Sequence, residues 1–544
     1  MRQILATTLM AVMTFGPLAN ANAATPRPAT SSAAIGATTT PIQHLVVIFQ
    51  ENISFDHYFG TYPVATNPAG EPPFTPVVGT PTVNGIQGGL STNNPNLNPA
   101  NGTGATNPFR LDRSQAATND QDHDYTPEQL AFDSGLMDLF PLNTGVAGPP
   151  PGGSGIVDTN GLVMGYYDGN TVTALWNYAQ YFAMSDNSYD TNFGPSTDGA
   201  LNLISGQTNG VIQNENGTGS IIGDGNGGYT LISDADPIGD VCSTTSGEVL
   251  QMGGQNIGDL LNTAGISWGF FEGGFDLTVT NPNGTTGCHR SHTSTITGVA
   301  KADYIPHHQP FQYYTATANP QHTRPTSTAT IGQQGDAGNH QYDSHDFFDA
   351  INAGNFPAVN FVKAPGYQDE HAGYSDPLDA QTFIVDTINF LMQTRYWSTT
   401  AVVIAYDDSD GWYDHQLGQI LNTSQTSADG LTGTGFCGTV APQLAGITGQ
   451  HAQGRCGYGP RLPLLVVSPY SKQNFVDHTM TDQTSIIRFI EDNWLHSQRI
   501  GNGSFDALAN SISNMLSIQP SSCVRYVLLN DTTGEVTSKG CSSM

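Results

Sequence analysis

Basic residues are scarce in this chain. Lys and Arg together number 16 against 46 Asp and Glu, for a net charge of −30 over 544 residues. Nucleic-acid binding rests on basic contacts to phosphates, so this balance excludes a nucleic-acid partner. It argues equally against docking on an anionic membrane. Charge of either sign is thin, at 11% of residues, so solubility leans on Asn, Gln, Ser, Thr and Gly. Beyond the N-terminus no apolar run approaches the roughly 18 residues of a spanning helix, which excludes stable membrane insertion of the mature chain. No Cys-x-x-Cys occurs among the six cysteines, which speaks against a zinc knuckle. There is no internal repeat, and no G-x-S-x-G nucleophile elbow surrounds Ser196.

The N-terminus has the pattern of a signal peptide over 1–23. A basic Met1-Arg2 precedes an apolar stretch from Ile4 to Leu18, and Ala21-Asn22-Ala23 supplies small residues for cleavage before Ala24. An uncleaved anchor or a buried helix is the alternative. Export to periplasm or medium follows from the first reading. Residues 24–40 are a low-complexity leader, expected to be mobile. Residues 41–544 are expected to form the catalytic domain, ending in a tail with two cysteines. The cysteines number six, Cys242, Cys288, Cys437, Cys456, Cys523 and Cys541. Six allow 15 pairings; loop closure favours sequence neighbours, 242 with 288, 437 with 456 and 523 with 541. Reduced buried thiols are the alternative. The 62 glycines and 33 prolines imply long loops, concentrated at 63–120, 141–161, 209–240, 315–340 and 417–458.

Five apolar, β-branched runs read as strands buried on both faces: "HLVVIF" (44–49), "ISWGFF" (266–271), "AVNFVKA" (358–364), "TAVVIAY" (400–406) and "LPLLVVS" (462–468). Between them, 173–184, 379–397 and 482–495 carry apolar residues at helical spacing, the last opening on an Asp or Thr cap. Strand and helix alternate, so the fold class is α/β with a mostly parallel central sheet flanked by helices.

Ligands in such sheets collect at the carboxyl ends of strands. Four runs here lead on to polar clusters: Gln50-Glu51-Asn52, Asp407-Asp408, Asp369-Glu370-His371 and Asp477-His478. Glu51, Asn52, Asp407 and Asp408 are hard oxygen donors, suited to a divalent cation such as calcium, magnesium, manganese or zinc. The plain alternative is that the Asp pair caps a turn. In "NFGPSTDGALNLISG" (192–206), Ser196 stands where a helix begins. A serine there is ordinarily a cap, but a helix N-terminus also attracts a phosphoryl group. Of the 15 histidines, His307-His308, His371 and His123 stand out. Imidazolium can bind phosphate oxygen or protonate a leaving group.

Taken together, "ENISFDHYFGTYP", "DHDYTPEQLAF", "FGPS", "HHQPF", "EHAGYSDP", "AYDDSDGWYDH", "GYGPRLPLLVVSPYSK" and "VDHTMTDQTSIIRFIEDNW" resemble a bacterial phosphoesterase family. It includes exported acid phosphatases and non-haemolytic-type phospholipases C, within the alkaline-phosphatase-like superfamily. The resemblance runs from about Ile42 to about Leu495. It implies an alkaline-phosphatase-like sheet, with Glu51, Asn52, Asp407, Asp408 and Ser196 as metal ligands. It also implies Ser196 as nucleophile, with His123, His307, His308 and His371 lining the phosphate pocket. Ile53 stands where many members have Arg, and Asp408 where phospholipases generally have Glu; Ser196, a position that phospholipase members commonly fill with Thr, and the Asp407-Asp408 pair together look more similar to the acid phosphatase branch. The expected activity is hydrolysis of a small phosphorylated substrate, with phospholipase C acting on a phospholipid head group as runner-up. A non-catalytic calcium-binding surface protein is the rival of another class, since Asp407–Asp414 contains a D-x-D-G pattern.

Overall fold

A computed structural model describes residues 34–145, 156–518 and 523–542. The signal peptide expected over 1–23 and leader residues 24–33 lie outside the described residues, as does 146–155 of the second long loop.

One eight-stranded sheet organises the chain. Its strands are β1 (His44–Gln50), β2 (Ala183–Ser185), β3 (Trp268–Glu272), β4 (Gln341–Asp343), β5 (Val359–Lys363), β6 (Thr400–Tyr406), β7 (Leu464–Val467) and β8 (Phe475–Asp477). They lie in the order β4-β3-β5-β1-β6-β7-β2-β8. Every neighbouring pair is parallel except those made by β7, which runs against both β6 and β2. The sheet is therefore mostly parallel, as expected, but "LPLLVVS" is its one reversed strand.

β1 sits at the middle, and every one of its residues is buried. Successive side chains point to opposite faces. Val46 and Ile48 pack with helices α3 (Thr173–Tyr181), α6 (Ser344–Asn352) and α7 (Pro377–Met392). Leu45, Val47 and Phe49 pack with α4 (Ser196–Ser205), α5 (Ile257–Ala264) and α8 (Thr484–Trp494). Two shorter helices, α1 (Phe55–Phe59) and α2 (Tyr125–Phe132), lie beyond the strand ends. Helices thus cover both faces, which is why the strands read as unbroken apolar runs.

Three local expectations change. The helix expected over 173–184 stops at Tyr181, and Ala183–Ser185 joins the sheet instead. The cap of α8 is Gln483, with no side-chain cap bond; Asp482 instead accepts the hydroxyls of Thr484 and Ser485. The described end of the leader is held rather than free: Ser267 N–H bonds Ala34 O at 2.8 Å, and Thr40 Oγ1 bonds Asn493 Oδ1 at 2.9 Å. Hydroxyl and backbone groups anchor a stretch whose composition carries no such signal.

The disulfides are Cys242–Cys288, Cys437–Cys456 and Cys523–Cys541, the sequence-neighbour pairing. The last ties a C-terminal hairpin, β9 (Val524–Leu529) and β10 (Val536–Ser542), which packs on α7 through Asn389 Nδ2 to Leu529 O at 2.8 Å.

Candidate active site

β1 and β6 are adjacent and in register up to Gln50 opposite Tyr406. The residues that follow therefore emerge side by side: Glu51-Asn52 from β1 and Asp407-Asp408 from β6. Asn52 has φ of 64°, a left-handed conformation that Asn tolerates better than most residues. Its N–H donates to Asp407 Oδ1 at 2.9 Å and its amide nitrogen to Asp410 Oδ1 at 2.8 Å. The turn thereby leaves Asn52 Oδ1 buried with no hydrogen-bond partner.

Ser196 comes from the other side, as the first residue of α4 behind Pro195. It does not cap the helix. Its Oγ lies 3.1 Å from Glu51 Oε2 and 3.1 Å from Asp408 Oδ2. One hydroxyl proton serves one of them at a time. Gly199 makes the approach possible: a Cβ there would stand 2.0 Å from the Asp407 carbonyl oxygen. The "STDG" sequence is thus a docking turn for α4 against the end of β6.

Three carboxylates meet in this buried space. Burial and the neighbouring Glu51 charge push Asp408 up to about 6 despite His123, and hold Asp407 well above the ordinary range. Burial works against Glu51 too, but the positive groups beside it, Lys363 among them, hold it low. Lys363 Nζ bonds Glu51 Oε1 directly and stands 3.9 Å from Asp407 Oδ2. Asp407 Oδ2 itself has no hydrogen-bond partner. Crowded carboxylates, an orphaned carboxylate oxygen and an orphaned amide oxygen form a hard-donor set that fits a divalent cation.

The four histidines divide into two kinds. Burial disfavours charge on all of them. For His123 the carboxylates of Asp408, Asp120 and Asp410 outweigh burial, and its proton affinity is raised well above the ordinary value; Nδ1 lies 3.4 Å from Asp410 Oδ1. His307, 3.4 Å from Asp236 Oδ1, is raised in the same way by Asp234 and Asp236. Burial prevails at His308 and His371, which are lowered. His308 Nδ1 is 3.3 Å from Glu51 Oε1, and the rings of His123 and His371 are 6.0 Å apart. All four flank the serine–carboxylate group, two with proton affinity raised by facing carboxylates and two with it lowered by burial.

One expected contributor goes elsewhere. His478 is largely exposed and pairs with Asp186 at 2.7 Å; it follows edge strand β8, remote from the central β1–β6 pair. Asp56 and His57 brace the loop after β1. Asp56 pairs with Arg461 at 3.0 Å, and the His57 ring stacks on Trp412 at 3.9 Å.

Several groups escaped sequence reasoning. Glu128 accepts from Ser409 Oγ at 2.6 Å and from Gly194 N–H at 3.3 Å, and burial lifts it to about 8. Lys363 was visible as a lone lysine inside "AVNFVKA", a signal that a buried strand was delivering a charge. Two amides at the start of α4 are already engaged: Thr197 N–H bonds Asp234 Oδ1 at 3.0 Å and Asp198 N–H bonds Pro195 O at 2.9 Å. Anion binding by this helix terminus is correspondingly weakened.

Sheet and site define an α/β protein with a serine set among carboxylates at the strand ends. Residues 42–495 match the Phosphoesterase family, and the chain belongs to that family. Among curated relatives, the non-hemolytic phospholipase C of Burkholderia pseudomallei is 26% identical over 470 residues, covering 84% of this chain and 55% of that protein. Phospholipase C A of Mycobacterium tuberculosis is 25% identical over 475 residues, covering 83% and 72%. The chain thus spans little more than half the length of the first and somewhat more of the second. Among solved structures, murine ectonucleotide pyrophosphatase/phosphodiesterase 5 is 12% identical with a TM-score of 0.29, over 64% of this chain and 95% of that one. A Vibrio parahaemolyticus protein of the alkaline phosphatase superfamily is 11% identical at 0.28, over 81% and 82%. At those scores the likenesses add nothing to the fold read from the sheet itself.

Proposed function

We propose that this chain is an exported, metal-dependent phosphoesterase that hydrolyses phosphomonoesters through a phosphoserine on Ser196. The observation that carries the reading is the placement of Ser196 Oγ 3.1 Å from both Glu51 Oε2 and Asp408 Oδ2. Glu51, Asn52, Asp407, Asp408 and Ser196 would hold the cation, which lowers the hydroxyl's proton affinity and offsets charge on a phosphoryl oxygen.

The chain's own residues do the rest. Glu51 or Asp408 takes the Ser196 proton as Oγ attacks phosphorus in line. His123 and His307, as imidazolium, bind the equatorial oxygens, and one of them hands a proton to the departing alcohol. When water attacks the phosphoserine, His308 or His371 accepts its proton and passes it on to restore the imidazolium, while Glu51 or Asp408 returns the first proton to Ser196 Oγ as phosphate leaves. Lys363 holds Glu51 in place through this cycle. The three disulfides suit an oxidising compartment, which supports export.

Ser196→Ala should lower hydrolysis of p-nitrophenyl phosphate by on the order of 10³-fold or more in metal-supplied protein. Retained activity would remove Ser196 from its role. Absence of any wild-type activity would favour the calcium-binding alternative.

A second reading, phospholipase C acting on a phosphodiester, is favoured by the names of the curated relatives. A strong wild-type preference for p-nitrophenyl phosphorylcholine over p-nitrophenyl phosphate would select it.

A further inference from the structure

The chain contains four lysines, Lys301, Lys363, Lys472 and Lys539. In a protein of net charge −30, two of these four stand at the site. Lys363 is committed to Glu51. Lys301 is not committed to any carboxylate.

Lys301 lies on the short hairpin strand Ala300–Ala302, paired with Ser291–Thr293. This hairpin belongs to the insertion between β3 and β4, outside the central sheet. The side chain is part-buried, and its Nζ sits 3.6 Å from the centre of the Tyr374 ring. Among the described residues it has no hydrogen-bond or ion-pair partner. The same Tyr374 ring stacks with His371 at 4.3 Å, and its hydroxyl donates to Asp369 Oδ2 at 3.0 Å. Asp369 in turn stands 3.9 Å from His308 Nδ1 through the same Oδ2, so the ring beneath the Lys301 ammonium touches both His371 and a carboxylate that adjoins His308. Its ammonium therefore stands one aromatic ring away from His371 and Asp369, with three N–H donors unspent.

Two consequences follow for the substrate. The Thr197 and Asp198 amides at the start of α4 are engaged, so a phosphoryl dianion gains from donors elsewhere, and Lys301 has them. A quaternary ammonium head group is held by aromatic faces, and here Lys301 already lies over the Tyr374 face. It would repel a second cation there.

We infer that Lys301 reads the charge of the substrate: its ammonium contacts an oxygen of a dianionic phosphomonoester and disfavours a choline-type phosphodiester. This rests on the proposed phosphomonoesterase reading and names the group that selects its substrate class.

Lys301→Met tests it, since the methionine keeps an unbranched stem on Tyr374 and removes only the charge; Lys301→Arg is the conservative control. In metal-loaded protein, Lys301→Met should lower kcat/KM for p-nitrophenyl phosphate roughly 10- to 100-fold, the range for a lost charged hydrogen bond. Hydrolysis of p-nitrophenyl phosphorylcholine should be unchanged or raised. The affinity for inorganic phosphate, measured by calorimetry without turnover, should fall by a similar factor, and Lys301→Arg should restore most of it. Equal losses on both substrates, or phosphate affinity unchanged in Lys301→Met, would overturn the inference. Failure of the underlying reading looks different: hydrolysis would survive Ser196→Ala, while the phosphate titration would still decide on Lys301.

Discussion

His123 and His307 hold protons more tightly than an ordinary histidine because each faces carboxylates that outweigh the cost of burial. His308 and His371 hold theirs less tightly because burial wins. The proposed chemistry needs the first pair charged, and this fixes the sign of a pH dependence. Their raised proton affinities keep both imidazolium through the ordinary histidine range near 6.5. The rate should therefore fall as pH rises past the range in which both stay charged. His123→Asn and His307→Asn should each lower kcat/KM by about 10²-fold or more and flatten that alkaline limb. The profile of kcat/KM against pH checks this; a wild-type rate that keeps climbing into alkaline pH would contradict it.

At the scale of elements, the site depends on how α4 meets the end of β6. Gly199 lets the helix approach until only the Asp407 carbonyl lies beneath it. Gly199→Ala should push α4 outward, cost about 1–3 kcal/mol of stability, and lower activity by moving Ser196 off its carboxylates. Urea unfolding beside steady-state rates measures both; an unaffected rate would show that the close approach is not needed.

The strands themselves were legible, because burial on both faces leaves unbroken apolar runs. The polar residues at their ends marked Glu51, Asn52, Asp407 and Asp408 as a group. The reversal of β7 was not legible, since an apolar run has no direction in it. Nor was β2, three residues that continue a helical pattern. Lys301 was hidden for another reason: it comes from a hairpin in an insertion, and only the tertiary fold brings that hairpin to the strand ends. Asp477-His478 was grouped with the others because it too follows a strand end, but that end lies at the edge of the sheet, away from Glu51, Asn52, Asp407 and Asp408.

At the scale of the whole molecule, stability and activity respond differently to acid. His44 is buried against Phe356, with ring centres 4.1 Å apart, and bonds Pro357 O at 3.0 Å. Burial lowers its pKa to about 4. Between about 6.5 and about 4 the unfolded chain binds a proton there that the folded chain refuses. The contribution of His44 to stability is therefore complete above about 6.5 and is lost as pH falls toward 4. That loss amounts to at most about 3 kcal/mol. His44→Phe should show a smaller drop in melting temperature than wild type between neutral and acidic buffer. An identical drop in both would remove His44 from the account.

The central claim is that Glu51, Asn52, Asp407, Asp408 and Ser196 gather around one cation, with Ser196 facing phosphorus. A crystal structure of the protein loaded with a divalent cation and vanadate tests it most directly. The account predicts a single ion bound by those five residues, vanadium joined to Ser196 Oγ, and its equatorial oxygens turned toward His123 and His307. Vanadate seated away from Ser196, or an ion held without Glu51 and Asp408, would contradict it.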